Sequence, residues 1–233
     1  MTTLEGAVVL VTGGNRGIGK AIVDDLLTRG VKKVYATARK PEPSTDPRVV
    51  TLPLEITDQA SIDALVAQVP DVTVLINNAG GSSPDTYLDV PFDALRDVFE
   101  INFFGPLNLT RALVPVIERN GGGHIVNAHS ALSWVARHGA YSATKAALWL
   151  ATNSLRLEVL DRGINLTGLH MGYVDTDMTT AVTDPKENPA DIAKAALDGI
   201  ESNAYEVLAD DTARWAKAAV AGDLSDVYAE LKR

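Results

Sequence analysis

Tyr141 and Lys145 stand four residues apart in Tyr141-Ser142-Ala143-Thr144-Lys145, and Ser130 precedes the tyrosine by eleven residues. On a helix this spacing puts the phenol and the ammonium on one face, a turn apart. An ammonium beside a phenol favours the phenolate, so Lys145 is expected to lower the Tyr141 pKa from about 10. A tyrosine adjusted in this way can give or take a proton near neutral pH. Ser130 closes the run His124-Ile125-Val126-Asn127-Ala128-His129-Ser130, which sets a hydroxyl just beyond a candidate strand. A second hydroxyl, Ser133, lies further into the following loop and is the weaker choice.

The elements that must position these groups alternate along the chain. Short β-branched runs at 7–11, 33–37, 49–52, 72–76, 124–128, 165–169 and 205–208 read as strands. Helical patterns cover 16–29, 59–67, 91–118, 141–161 and 189–200, with one or two more after Asp211. Strands such as Val8-Val9-Leu10-Val11 are apolar without alternation, which signals burial on both faces. Strand–helix repetition of this kind predicts an α/β fold: a Rossmann-like, doubly wound parallel sheet of about seven strands with helices on both faces. No linker divides the chain, so 1–233 reads as a single domain, and 41–47, rich in proline, reads as a surface loop.

The first strand runs into Thr12-Gly13-Gly14-Asn15-Arg16-Gly17-Ile18-Gly19, and a helix follows. Glycines there permit a tight turn and let backbone N–H groups at the helix N-terminus approach a pyrophosphate. The first βα unit of a parallel sheet is where a dinucleotide binds, so Gly13, Asn15, Arg16, Gly17, Ile18 and Gly19 are candidate cofactor contacts. The spacing is G-x-x-x-G-x-G, a variant of the common fingerprint. A site built for NAD usually ends its second strand in an acid that accepts from the ribose 2′-OH. Here the segment is Tyr35-Ala36-Thr37-Ala38-Arg39-Lys40, with two cations and no acid. With Arg16 inside the turn and Arg39 after the strand, the residues favour NADP(H) over NAD(H).

Together these motifs resemble the short-chain dehydrogenase/reductase family over essentially the whole chain. The family's T-G-x-x-x-G-x-G turn matches Thr12 through Gly19, its N-N-A-G motif matches Asn77-Asn78-Ala79-Gly80, and its Y-x-x-x-K matches Tyr141 and Lys145. Its catalytic Asn and Ser match Asn102 and Ser130. The resemblance implies that Tyr141 exchanges a proton with the substrate oxygen, that Ser130 hydrogen-bonds that oxygen, and that Lys145 bonds the nicotinamide ribose. It implies that Asn102 kinks its helix and holds a water beside the lysine, completing a proton relay. It further assigns Asn78, Ala79 and Gly80 to the cofactor's adenosine side, with Glu55 and Ile56 near the adenine. Val174 and Thr176 would reach the nicotinamide carboxamide, although Met171 replaces the usual proline of that turn and should leave it less rigid.

Composition narrows the partners. A net charge of −9 and a pI near 4.9 argue against nucleic-acid binding, and zero cysteines exclude disulfides and thiolate sites. No signal-peptide pattern opens the chain and no apolar run reaches the ~20 residues of a membrane span, so a soluble cytoplasmic protein without a membrane partner is expected. His124, His129, His138 and His170 show no metal-ligand spacing, and no metal is expected; His129 is the one that could edge the pocket. Trp134, Val135, Tyr173 and Met178 fall on loops at the ligand edge of the sheet, where they either pack or line an apolar pocket. The expected substrate is a hydrophobic aldehyde or ketone, or its alcohol. Helices apolar on more than one face, around Val98–Phe104 and Ala146–Ala151, need a second surface to bury against, and the family resemblance implies a homodimer or homotetramer through them. A non-catalytic NADP-binding sensor and an extended-branch epimerase are the alternatives on this fold. The intact Asn102, Ser130, Tyr141 and Lys145 set opposes the first, and the short region after the sixth strand opposes the second.

Overall fold

The computed structural model describes residues 2–82 and 86–231. Seven strands, β1 (Val8–Thr12), β2 (Lys33–Ala38), β3 (Val49–Pro53), β4 (Val74–Asn77), β5 (Gly123–Ala128), β6 (Ile164–His170) and β7 (Glu206–Leu208), form one sheet in the order β3-β2-β1-β4-β5-β6-β7. Every neighbouring pair is parallel. The helices are α1 (Gly17–Thr28), α2 (Gln59–Gln68), α3 (Phe92–Phe99), α4 (Gly105–Arg119), α5 (Ala140–Val159), α6 (Pro189–Glu201), α7 (Asp211–Ala219) and α8 (Leu224–Val227).

Two cores sandwich the sheet because successive side chains of each strand point to opposite faces. Val9 and Val11 join Ile22 and Leu26 of α1 and Ile192 and Leu197 of α6. Val8 and Leu10 join Ile62 and Leu65 of α2, Leu109, Leu113 and Ile117 of α4 and Val159 of α5. Both sets of β1 residues are apolar for this reason, which explains the missing alternation. Helix starts follow local chemistry: Asp58, Asn188 and Asp210 each accept from a backbone N–H in the first turn of α2, α6 and α7, and Pro189 occupies the first position of α6. Strand order reverses direction between β1 and β4, so a crevice opens above their C-terminal ends. Among the described residues, no helix is long and apolar enough to cross a membrane.

One expected element differs. The single helix read over 91–118 is broken into α3 and α4 by a π-turn spanning Glu100–Phe104. Pro106 explains the break: it has no N–H for the Asn102 carbonyl four residues back, and its ring would clash with that carbonyl in a regular helix. The wider turn is closed instead by Gly105 N–H donating to the Glu100 carbonyl. Gly105 also brings this bend against Ile56, since a Cβ there would lie 2.7 Å from Ile56 Cγ1.

Candidate active site

The β5–β6 pairing continues past the strand ends and fixes Ser130. His129 N–H donates to the Leu169 carbonyl at 2.7 Å and Ala131 N–H to the Met171 carbonyl at 2.8 Å. Between them Ser130 is held extended (φ −156°, ψ 160°), with its Oγ accepting from Leu132 N–H at 3.1 Å. Tyr141 and Lys145 do share a face of α5, and Tyr141 hydrogen-bonds the Ser130 side chain. Lys145 Nζ donates to the Ala128 carbonyl at 2.8 Å and lies 5.6 Å from the Tyr141 ring centroid. Three side chains from two elements are thus brought into one cluster at the C-terminal edge of β5.

The electrostatics depart from the sequence expectation. Burial pushes the Tyr141 phenol up to about 12, although the hydrogen bond from Ser130 pulls it the other way. Burial likewise pushes the Lys145 ammonium down to about 8. Burial sets the direction of the Tyr141 shift, and the Lys145 ammonium, bonded to a backbone carbonyl, is not among its causes. At neutral pH the protein's own groups therefore present a protonated phenol beside a still largely charged lysine. That arrangement gives a proton more readily than it takes one.

Asn102 sits in the π-turn, 1% exposed, and its amide clasps one residue of the loop after β4. Oδ1 accepts from Gly81 N–H at 2.8 Å, and Nδ2 donates to the Gly81 carbonyl at 2.9 Å and to Thr144 Oγ1 at 3.3 Å. The side chain thus ties the β4 loop to α5 one residue before Lys145. Gly80 fits between them: a Cβ there would lie 3.2 Å from Asn102 Oδ1 and 3.9 Å from Lys145 Nζ.

The glycine turn is tight for a stated reason. A Cβ at Gly19 would collide with the Gly13 carbonyl and come within 2.6 Å of Asn78 Nδ2. Gly17 adopts φ +54°, a left-handed conformation that favours glycine. Arg16 is the N-cap of α1 but makes no side-chain capping bond, so the amides of the first turn, including those of Gly17, Ile18 and Gly19, lack the side-chain acceptor that α2, α6 and α7 possess. The Asn78 amide is turned onto the Thr12 and Gly13 carbonyls (2.9 and 3.4 Å) and braces the turn. Thr12 Oγ1 completes the brace by accepting from the N–H groups of Asn78 and Ala79, both at 2.9 Å.

At the far side of the crevice Asn15 Nδ2 donates to the Lys40 carbonyl at 2.9 Å, which ties the turn to the end of β2, where Arg39 and Lys40 are exposed. Arg16 is paired across the crevice, with Nη1 2.7 Å from Asp177 Oδ2. Both partners are 73% exposed, so the pair is worth under about 1 kcal/mol and is easily exchanged. Glu55 is exposed and accepts from Thr57 Oγ1 at 3.0 Å, while Ile56 is buried in the core.

The turn after β6 is held firmly without its proline. Gly172 N–H donates to Asp210 Oδ2 at 2.6 Å, Glu187 N–H to the Tyr173 carbonyl at 2.8 Å and Asp175 N–H to the Glu187 carbonyl at 2.9 Å. Met171 is buried and Val174 is 3% exposed, with Thr179 Oγ1 donating to the Val174 carbonyl. The expected looseness is therefore corrected: side chains and a short bridge supply the rigidity that proline would have given. Thr176 borders the glycine turn, its Cγ2 3.1 Å from where a Gly17 Cβ would be.

A family model described as short chain dehydrogenase matches residues 7–187, which takes in the glycine turn, the Asn102 bend and the Ser130–Tyr141–Lys145 cluster. The chain belongs to the short-chain dehydrogenase family. As a member of that family it is an oxidoreductase. Its relatives include the ketoacyl reductase HetN of Nostoc sp., 31% identical over 89% of this chain and 80% of that protein. They also include the 3-oxoacyl-[acyl-carrier-protein] reductase FabG of Escherichia coli, 30% identical over 91% of this chain and 93% of that protein. A solved short chain dehydrogenase from Burkholderia cenocepacia in complex with NADP superimposes with a TM-score of 0.93, at 34% identity and covering 99% of both chains. The NADPH-bound carbonyl reductase from chicken fatty liver gives 0.78 at 28% identity, covering 84% of this chain and 91% of that one.

The dinucleotide of a short-chain dehydrogenase fits the residues present. The uncapped first turn of α1 and the Gly13–Gly19 cradle suit a pyrophosphate, and the exposed cations after β2 suit a phosphate. Thr12 heads the glycine turn in the sequence, and the structure adds that it braces that turn; Pro106 and Asp210, which also hold other segments in place, carry no motif, although Pro106 stands four residues after Asn102. His129 does not edge the pocket, being 1% exposed behind Ser130, and Trp134 and Val135 pack with Leu132 on α7, whereas Met178 is exposed.

Proposed function

We propose that this short-chain dehydrogenase reduces the carbonyl of a hydrophobic aldehyde or ketone with NADPH, Tyr141 giving the proton. The observation that carries the reading is the Ser130–Tyr141–Lys145 cluster, with its phenol kept protonated by burial. NADPH, when bound, supplies the hydride. Tyr141 donates its proton to the carbonyl oxygen, Ser130 hydrogen-bonds that oxygen as negative charge develops on it, and the Lys145 ammonium stabilises the phenolate that remains. Gly80 lies between Asn102 and Lys145, which is anchored on the Ala128 carbonyl, so the Asn102–Gly81 clasp holds the loop that borders the reacting groups.

The preference for NADPH over NADH rests on Arg39 and Lys40 and on the absence of an acid at the end of β2; Arg16 joins them by exchanging its exposed partner. A hydrophobic substrate is consistent with the Leu132, Trp134, Val135 and Tyr228 side of a cavity of about 560 Å³ at the start of α5, which Ser133, Arg137, His138 and Ser142 also line and which lies beside the Ser130–Tyr141–Lys145 cluster without including it. The relatives named as carbonyl reductase and 3-oxoacyl reductase share carbonyl reduction as their chemistry. Exposed Leu150 and Leu157 on α5 and Phe104 at the bend form an apolar face that suits pairing of two copies, extended or not to a tetramer. The test is a panel of aliphatic and aromatic aldehydes, ketones and 3-oxoacyl thioesters, offered with NADPH and with NADH at 340 nm. Turnover with NADH but not NADPH, or with no member of the panel, overturns the reading. Light scattering that gives a monomer at micromolar concentration overturns the pairing.

A further inference from the structure

The chemistry described so far makes no use of a buried aromatic stack directly behind Ser130. His129 and His170 are 1% and 0% exposed, and their rings stack with centroids 4.7 Å apart and planes at 29°. Trp134 lies on the other side of His170, at 4.1 Å and 17°, and meets Trp149 edge-on at 5.8 Å. The His170 imidazole is therefore the middle layer of three rings and has little freedom to turn. Gly168 makes the room, since a Cβ there would lie 2.9 Å from His129 Cδ2 and 3.2 Å from His170 Nε2.

The clamped ring presents one nitrogen to the catalytic strand. His170 Nδ1 lies 3.4 Å from the Ser130 carbonyl oxygen, which also accepts from Ser133 N–H at 3.0 Å. Its Nε2 lies 3.7 Å from Glu206 Oε1, beyond hydrogen-bonding distance, and makes no hydrogen bond to the described residues. Glu206 is already supplied: Oε1 accepts from Trp149 Nε1 at 2.7 Å and Oε2 is paired with Lys217. A neutral imidazole carries one N–H, and the acceptor within reach of it is the Ser130 carbonyl. Charged groups face the ring from β7 (Glu206), α7 (Lys217) and α5 (Lys145), and burial holds His170 down to about 4, so the ring is neutral at working pH.

We propose that His170 is a positioning residue for this reaction: its Nδ1–H donates to the Ser130 carbonyl and so fixes the peptide that aims the Ser130 hydroxyl. The same peptide is held by backbone bonds, Ala131 N–H on the Met171 carbonyl and Ser133 N–H on the Ser130 carbonyl, and the imidazole adds a side-chain contact to that carbonyl. The proposal rests on the reading of Ser130 as the group that meets the substrate oxygen. The substitutions separate donor from volume. In His170→Asn the amide nitrogen stands at the same bond distance from Cα as Nδ1, whereas His170→Phe keeps a ring in the stack without a donor.

The test measures NADPH-dependent reduction of 4-nitrobenzaldehyde by wild type, His170→Asn, His170→Phe and Ser130→Ala, with NADPH affinity by fluorescence titration. Alongside it, ¹⁵N–¹H spectra of wild type labelled at its four histidines assign the His170 tautomer, with His170→Asn identifying the resonance. The expected result is a kcat lowered about tenfold in His170→Phe and within about threefold of wild type in His170→Asn, KM and NADPH affinity unchanged, and an Nδ1–H tautomer. A His170→Phe enzyme with wild-type kcat, or an Nε2–H tautomer, overturns the proposal. If His170→Phe does not fold, the tautomer and the His170→Asn rate decide. Full activity in Ser130→Ala would instead sink the reading of Ser130, a result the His170 variants cannot mimic.

Discussion

Replacing Lys145 with methionine should make the protein more stable while it destroys catalysis. Burial lowers the lysine from its ordinary 10.5 to about 8, so holding the ammonium inside the folded chain at pH 7 costs about 3 kcal/mol. Methionine fills nearly the same volume without a charge. Against that gain stands the Ala128 carbonyl, which loses the 2.8 Å bond from Nζ at a cost of about 1–2 kcal/mol. The net expectation at pH 7 is a gain of about 1–2 kcal/mol, or roughly 2–8 °C in Tm for a domain of this size. The pH dependence is the sharper signature. Below pH 8 the wild-type lysine is protonated in both states and the folded state bears the whole cost. Between 8 and 10.5 the folded chain gives up the proton first, so wild-type stability climbs with pH and the variant's does not. The advantage of Lys145→Met should therefore shrink by about 2 kcal/mol between pH 7 and 9.5. Tyr141, raised to about 12, contributes nothing to the difference in that window because it stays protonated in both proteins. Equilibrium urea unfolding at the two pH values measures this directly. A variant less stable than wild type at pH 7, or a difference that does not move with pH, refutes the reasoning.

The cofactor site and the proton donor make further claims. Arg39→Ala should raise the KM for NADPH about tenfold to a hundredfold and leave that for NADH within about twofold, as initial rates with both cofactors would show. Gly19→Ala drives a Cβ into the Gly13 carbonyl, so calorimetric titration should find NADPH binding lost; retained affinity would mean the turn is not the cradle described. Because burial keeps Tyr141 protonated, alcohol oxidation with NADP+ should climb with pH through the range 7–10, while carbonyl reduction should hold steady and fall only as Lys145 loses its proton near 8. A pH profile of the two directions that runs in parallel would contradict this.

The sheet and the reacting residues were legible because each rests on a local pattern. Unbroken apolar runs such as Val8–Val11, short, β-branched and followed by a glycine turn, fit strands covered on both sides, and a phenol four residues before an ammonium needs only a helix to align them. What stayed hidden is how the groups act on one another once packed. The resemblance implies the kink at Asn102 but not its cause, Pro106 acting on a carbonyl, a conflict that apolar periodicity does not register. The firmness of the turn after β6 comes from Asp210, which approaches only once α7 is in place. The direction of the Tyr141 shift belongs to the packed site in the same way: spacing reports that a lysine is near, but not how deeply the phenol is buried. The contacts that Asn78 makes to the Thr12 carbonyl and Arg16 to Asp177 likewise join segments far apart in the chain.

The most direct test of the central claim compares wild type with Tyr141→Phe in the oxidation of NADPH by whichever carbonyl compound the panel shows to be the best substrate. Loss of the one proton donor should lower kcat at least a thousandfold while the dissociation constant for NADPH, read from its fluorescence, stays within about twofold. A Tyr141→Phe protein that turns over at a rate near wild type would contradict the account, whatever it does to binding.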